Sequence, residues 1–166
     1  GTWSYVMDSE HTFSYDYENA MFNWDNMPLS YPYSPEDYPS KDEDVINNAV
    51  AELSLACGIG VNMEYGVSQS GAVSYRIARA LVDNFGYDPS LVYKDRKHYT
   101  LTEWNNLIYY EVANGRPVLY AGVSNIGGHQ FVCDGYSEDN YFHINWGWGG
   151  QSDGYFLLSL LDPPLQ

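Results

Sequence analysis

Apolar and polar residues alternate through Trp3-Ser4-Tyr5-Val6-Met7 and again through Thr12-Phe13-Ser14-Tyr15, a period-two pattern that predicts the two strands of a hairpin. The alternation then stops. From Asn26 to Lys41, Pro28, Pro32, Pro35 and Pro39 rule out a regular helix or a central strand, and the aromatic residues among them predict a packed surface loop. Helical spacing follows. Val45, Ile46, Ala49, Val50, Leu53 and Ala56 predict a helix over residues 42–57, with Gly58 as its stop. Val73, Ile77, Ala80, Leu81 and Phe85 predict a second helix over about 72–84, closed by Gly86. A third is predicted over 102–114, closed by Gly115.

Beyond residue 116 the period returns to two. Strands are predicted at 117–121, 129–134, 141–145 and 155–158, separated by turn signals at Gly127-Gly128 and Ser137-Glu138-Asp139-Asn140. Helices first and an antiparallel sheet afterwards predict an α+β fold. The expected division is a hairpin, loop and helices over 1–115 and a sheet over 116–166.

Composition narrows the function classes. With 22 acidic and 7 basic residues, the formal net charge of −15 would repel a phosphate backbone, so nucleic acid is not an expected partner. No run approaches the roughly 20 apolar residues that span a bilayer, and no membrane association is expected. Asp42, Glu43 and Asp44 suit the positive end of the first helix better than a calcium site. His11, His98, His129 and His143 show no local zinc spacing and there is no CxxC, so no metal or other cofactor is expected.

Two segments concentrate chemistry. Gly127-Gly128-His129-Gln130-Phe131 starts a strand with a histidine beside glycines that leave room for a substrate backbone. His143-Ile144-Asn145-Trp146-Gly147-Trp148-Gly149-Gly150 ends a strand in an amide, two indoles and a glycine-rich turn. A cysteine protease needs a thiolate, an imidazole that accepts and returns its proton, and a group holding the imidazole in one tautomer. If the strands of His129 and Asn145 are neighbours, the Asn145 amide could do that last job, with Trp146 shielding the pair from water. Bland readings stand beside this one. A sheet-edge histidine is more often structural than catalytic, and Trp-Gly-Trp-Gly-Gly alone suits a packed turn or a glycan-stacking surface. His143 reads as a core residue or one supporting Asn145, while His11 and His98 read as solvated. A metal-dependent hydrolase built on His129, Asp134 and His143 is a weaker alternative.

Neither cysteine is the expected source of the thiolate. On an extended strand Cys133 shares a face with His129 but lies roughly 13 Å away at about 3.3 Å per residue. Cys57, near the end of an apolar helix, predicts a buried thiol.

The pattern Gly127-Gly128-His129-x-Phe131-Val132-x-Asp134-Gly135 followed by Phe142-His143-x-Asn145-Trp146-Gly147-Trp148-Gly149-Gly150-x-Ser152-Asp153-Gly154-Tyr155-Phe156 resembles the streptopain-type, papain-like bacterial cysteine proteases. Met63-Glu64-Tyr65-Gly66, Asn84-Phe85-Gly86-Tyr87 and Gly115-Arg116-Pro117-Val118 are similar to that family in order and spacing, and the likeness is weakest at the N-terminal end. The resemblance implies a papain-like proteinase in which helices pack on a barrel-like antiparallel sheet, residues 1–166 being most of its C-terminal half. It implies His129 as the catalytic imidazole, Asn145 as its orienting amide and Trp146 as the indole packed against them. Gly128 would lie along the substrate backbone. Ser70, Gly71 and Val123 would wall a pocket for bulky apolar side chains, and Trp148 would border the leaving-group side.

The family's nucleophile sits in a Gly-Cys-Val-Ala-Thr-Ala-like segment opening a helix, and a glutamine from the same region helps hold the oxyanion. Neither is present, so the thiol is expected upstream of Gly1, and residues 1–166 alone are expected to be inactive and poorly folded. A glycine-rich loop and final strand of the family are also expected beyond Gln166. The parent protein is expected to be a secreted, zymogen-derived endopeptidase acting on peptide or protein substrates, with a propeptide or the missing Cys-bearing segment as partner. The alternative is an inactive relative that binds protein or glycan.

Overall fold

The computed structural model describes residues 1–29, 42–124 and 127–161. Most of the predicted proline-rich loop, residues 30–41, lies outside the described residues. By internal packing the chain divides into two compact units, Gly1–Tyr93 and Lys94–Gln166. The third helix therefore belongs with the sheet that follows it.

In the first unit, strands β1 (Thr2–Val6) and β2 (Thr12–Asp16) form the predicted antiparallel hairpin. Its register sets Tyr5 opposite Phe13, their ring centroids 5.6 Å apart. Helix α1 (Glu43–Gly60) opens on Asp42, whose carboxylate accepts the N–H of Asp44 at 2.9 Å. It buries Ile46, Ala49, Ala56 and Ile59. The helix runs on through Gly58, the predicted stop. Gly58 and Gly60 are buried there because neighbours press against them: a Cβ at Gly58 would run into the Tyr65 phenol, and one at Gly60 would lie 3.2 Å from Tyr17 Oη and 3.4 Å from Ala80 Cβ. Glycine here serves close packing and not helix termination.

Helix α2 (Tyr75–Phe85) begins later than predicted. Gly71 is committed to an isolated antiparallel bridge with Glu64, while the N-cap Ser74, just before the helix, already has helical dihedrals, φ −57° and ψ −30°. Gly86 closes the helix in the left-handed region, φ 71°, as its position predicts.

The second unit starts from helix α3 (Leu101–Ala113), fixed by a capping box: the Thr100 hydroxyl accepts the Glu103 N–H while the Glu103 carboxylate accepts the Thr100 N–H at 2.8 Å. Trp104, Ile108 and Val112 recur at helical spacing on its buried face. They pack on a sheet of β3 (Val118–Ser124), β4 (Gly127–Tyr136), β5 (Phe142–Asn145) and β6 (Gly154–Phe156), antiparallel in that order. Phe131, Cys133, Phe142 and Ile144 complete the core, and the Trp104 indole donates to Tyr120 Oη at 2.6 Å inside it. The α+β architecture is as predicted. The sheet is open, with β3 and β6 as edges among the described residues, and not the barrel-like closure expected.

Candidate active site

On β4 the pleat sends His129, Phe131 and Cys133 to one face, and β5 continues that face with Ile144 and, just past its end, Trp146. Trp146 is 2% exposed. His129 is half-buried, with the Phe131 ring 6.1 Å away, the Trp146 ring 6.4 Å away and the Trp148 ring nearest at 4.9 Å and 29°. Gly122 and Val123 of β3 pair with His129 and Gly128, so the imidazole sits beside an edge strand and one residue from an exposed glycine.

His129 Nε2 lies 2.7 Å from the main-chain oxygen of Trp146. A carbonyl can only accept, so Nε2 carries the hydrogen and Nδ1 of the neutral ring keeps its lone pair. Nδ1 is then the ring nitrogen that can accept a proton.

The expected side-chain contact between His129 and Asn145 is not formed. The strands are neighbours, but Asn145 pairs with Val132, three residues along from His129, and so emerges on the opposite face. Its Oδ1 instead accepts the N–H of Gly147 at 2.9 Å. That N–H and the Trp146 carbonyl belong to one planar peptide unit. Asn145 thus holds the peptide whose oxygen holds His129.

A further residue enters from β6's approach: Asp153 Oδ1 accepts the Trp146 N–H at 2.8 Å. Its acceptor role has no signal in the sequence, where Asp153 stands only as one letter of the family pattern. Between these anchors Gly147, Gly149, Gly150 and Ser152 have φ of 77°, 64°, 87° and 62°, a run of left-handed conformations that explains the glycines.

The remaining candidates fall elsewhere. Val123 is 90% exposed and packs near Gly128, where a Cβ would meet Val123 Cγ2 at 3.9 Å. Ser70 and Gly71 belong to the first unit, where the Ser70 hydroxyl faces the Gly66 N–H at 3.4 Å and Gly71 has open space at its Cα. His143 Nδ1 pairs with Asp134 at 2.6 Å and meets the Tyr155 ring edge-on, on the sheet face away from His129. Among the described residues no three His, Cys, Asp or Glu side chains could hold a metal, so the arrangement of His129, Asp134 and His143 imagined for a hydrolytic metal is not built.

The thiols are equally clear. Cys133 is fully buried, and desolvation, with Asp134 beside it, pushes its pKa up to about 12. Cys57 is exposed on α1, against the buried thiol predicted, because Ala56 and not Cys57 faces the core; partial desolvation still raises its pKa.

Residues 1–156 match the Peptidase C10 family. Streptopain of Streptococcus pyogenes is 40% identical over 142 residues, 86% of this chain and 34% of its own length. The thiol protease/hemagglutinin PrtT of Porphyromonas gingivalis is 39% identical over 159 residues, 95% of this chain and 17% of its own. The chain therefore spans about a third or less of the curated relatives it matches. Among solved structures, the active interpain A cysteine protease of Prevotella intermedia superposes with TM-score 0.84 at 31% identity, covering 98% of this chain and 68% of that one. A prointerpain A fragment from the same organism gives 0.80 at 33% identity, covering 99% and 51%.

Proposed function

Because the chain belongs to the peptidase C10 family, a family of cysteine proteases, we propose that it is the histidine-bearing part of a cysteine endopeptidase whose nucleophilic thiol comes from residues preceding Gly1. One observation carries this reading: the Nε2–H bond from His129 to the Trp146 carbonyl, which leaves Nδ1 as a base in a stacked, half-buried setting.

The thiol gives its proton to His129 Nδ1, and the thiolate attacks the carbonyl carbon of the scissile peptide. As the C–N bond breaks, the imidazolium returns the proton to the leaving amine; water, giving a proton to the same base, then attacks the thioester carbon, the C–S bond breaks, the carboxylic acid leaves and the imidazolium returns the proton to the thiolate. Trp146 supplies the orienting oxygen and a buried ring. Asn145 contributes through the peptide unit joining Trp146 to Gly147. Gly128 admits the substrate backbone, Val123 beside it walls a pocket for a bulky apolar side chain, and Trp148 flanks the leaving group. The high pKa of Cys133 and its place in the core argue against it as nucleophile.

The parent protein is, on this reading, made as a precursor and secreted. The similarity to a prointerpain A fragment supports a precursor form, and among the described residues no helix is long and apolar enough to cross a membrane. The test uses the full-length protein. His129→Ala should lower kcat/KM on a peptide substrate by about 10²-fold or more and abolish labelling by an epoxide thiol inhibitor. Activity surviving that substitution would refute the assignment.

A further inference from the structure

The turn after β5 carries both groups that touch the His129 ring most closely, the Trp146 oxygen at 2.7 Å and the Trp148 indole at 4.9 Å. It also contains the densest run of left-handed backbone among the described residues, at Gly147, Gly149, Gly150 and Ser152. Glycines in such a run are free to adopt other conformations, so the turn has no intrinsic reason to present the Trp146 carbonyl to β4. Something must fix its ends.

The C-terminal end is fixed by one side chain. Asp153 Oδ1 reaches back to the Trp146 N–H at 2.8 Å, joining the residue after the turn to the residue before it. Within the turn, the Gln151 N–H donates to the Trp148 oxygen at 3.2 Å, and the Asp153 N–H makes a longer contact of 3.4 Å with the Gly150 oxygen. Immediately afterwards β6 begins at Gly154, whose partner is Ile144 on β5, so Asp153 is itself held at the sheet edge. Trp146 is thus gripped on both of its peptide units: Asp153 takes the N–H of the one before, and Asn145 takes the N–H of the one after. A charge-assisted bond to a carboxylate is the stronger of the two kinds.

We propose that Asp153 is a positioning residue for the catalytic imidazole, clamping the glycine turn so that the Trp146 carbonyl meets His129 Nε2. This rests on His129 being the catalytic base. It adds a residue that never touches substrate.

The experiment compares Asp153→Ala, Asp153→Asn and Asp153→Glu with His129→Ala in the full-length protein, measuring kcat, KM and the proton NMR signal of the His129 Nε2–H. Asp153→Ala should lower kcat by about tenfold with KM within about twofold, and should weaken or lose the Nε2–H signal, a change that general loosening elsewhere would not produce. Asp153→Asn keeps an acceptor oxygen and should restore the signal and most of kcat. If the alanine variant does not fold, Asp153→Glu serves in its place, since it keeps the charge but displaces the acceptor by one methylene; it should lose kcat and signal together. Full kcat with an unchanged signal in Asp153→Ala, or in Asp153→Glu when that stands in, would overturn the proposal. So would a loss of kcat with the signal intact. An active His129→Ala would instead remove the functional reading beneath it, so the two failures are distinct.

Discussion

Asn145 and Gly147 are bonded side chain to main chain, Oδ1 to N–H at 2.9 Å, and the peptide they fix is the one whose oxygen binds His129. Only the acceptor oxygen of Asn145 is used in this bond. Asn145→Asp in the full-length enzyme should therefore keep most of kcat, while Asn145→Ala, losing a bond of about 1 kcal/mol, should lower it about fivefold at similar KM. Steady-state kinetics on both variants decide the matter: an aspartate variant as impaired as the alanine one would show that the amide N–H₂ is the group that counts.

Gly128 offers a sharper separation of fold from function. Among the described residues a Cβ there would meet Gly122 O at 3.8 Å and Val123 Cγ2 at 3.9 Å, ordinary contacts, and Gly128 is not among the positive-φ glycines. Gly128→Leu should change stability by less than about 0.5 kcal/mol yet raise KM at least tenfold, because the side chain would occupy the path proposed for the substrate backbone. Unfolding in urea and peptide kinetics on the same sample give both values. An unchanged KM would place the substrate elsewhere.

The buried groups set a pH limit. Cys133 holds its proton up to about 12 in the folded chain but releases it near its ordinary 9.0 when unfolded. In that window the unfolded chain binds fewer protons, so the stability present below 9 is lost as pH rises through it. Tyr15 and Tyr17, raised from 10.0 to about 12 mainly by desolvation, act in the same direction. The urea midpoint should fall between about pH 8 and about pH 10.5, and less steeply in Cys133→Ala. In the native state a thiol reagent should modify exposed Cys57 and spare Cys133.

Helix α3 is held at its start by its N-cap, Thr100. Thr100→Ala removes the hydroxyl that accepts the first-turn N–H and should cost about 1 kcal/mol, while Thr100→Ser should cost much less. Equal losses from both would point to the methyl group and not the cap.

Much of this was written in side-chain pattern. Alternation gave the hairpin and the four strands within a few residues, and Gly86 marked a real helix end. Gly58 did not, since a glycine serving close packing against Tyr65 is indistinguishable in sequence from one that ends a helix. At the site, the period puts Cys133 on the face of His129, but strand register has no such signal: pairing Asn145 with Val132 turned the expected amide away. The group that replaced it, a main-chain oxygen, has no letter in the sequence. Its direction comes from backbone dihedrals over the turn to Asp153.

That last point bears on how such a site can be altered. Every residue has a carbonyl, so replacing Trp146 with any amino acid deletes its ring and leaves its oxygen in the chain. Substitutions at Trp146 alone would register the indole and stay blind to the atom that selects the histidine tautomer. Inheritance of that atom's position is collective, carried by the glycines that let the turn bend and the two acceptors that pin it. Such a site is lost by insertions, deletions and stiffened turns sooner than by the exchange of one functional group for another.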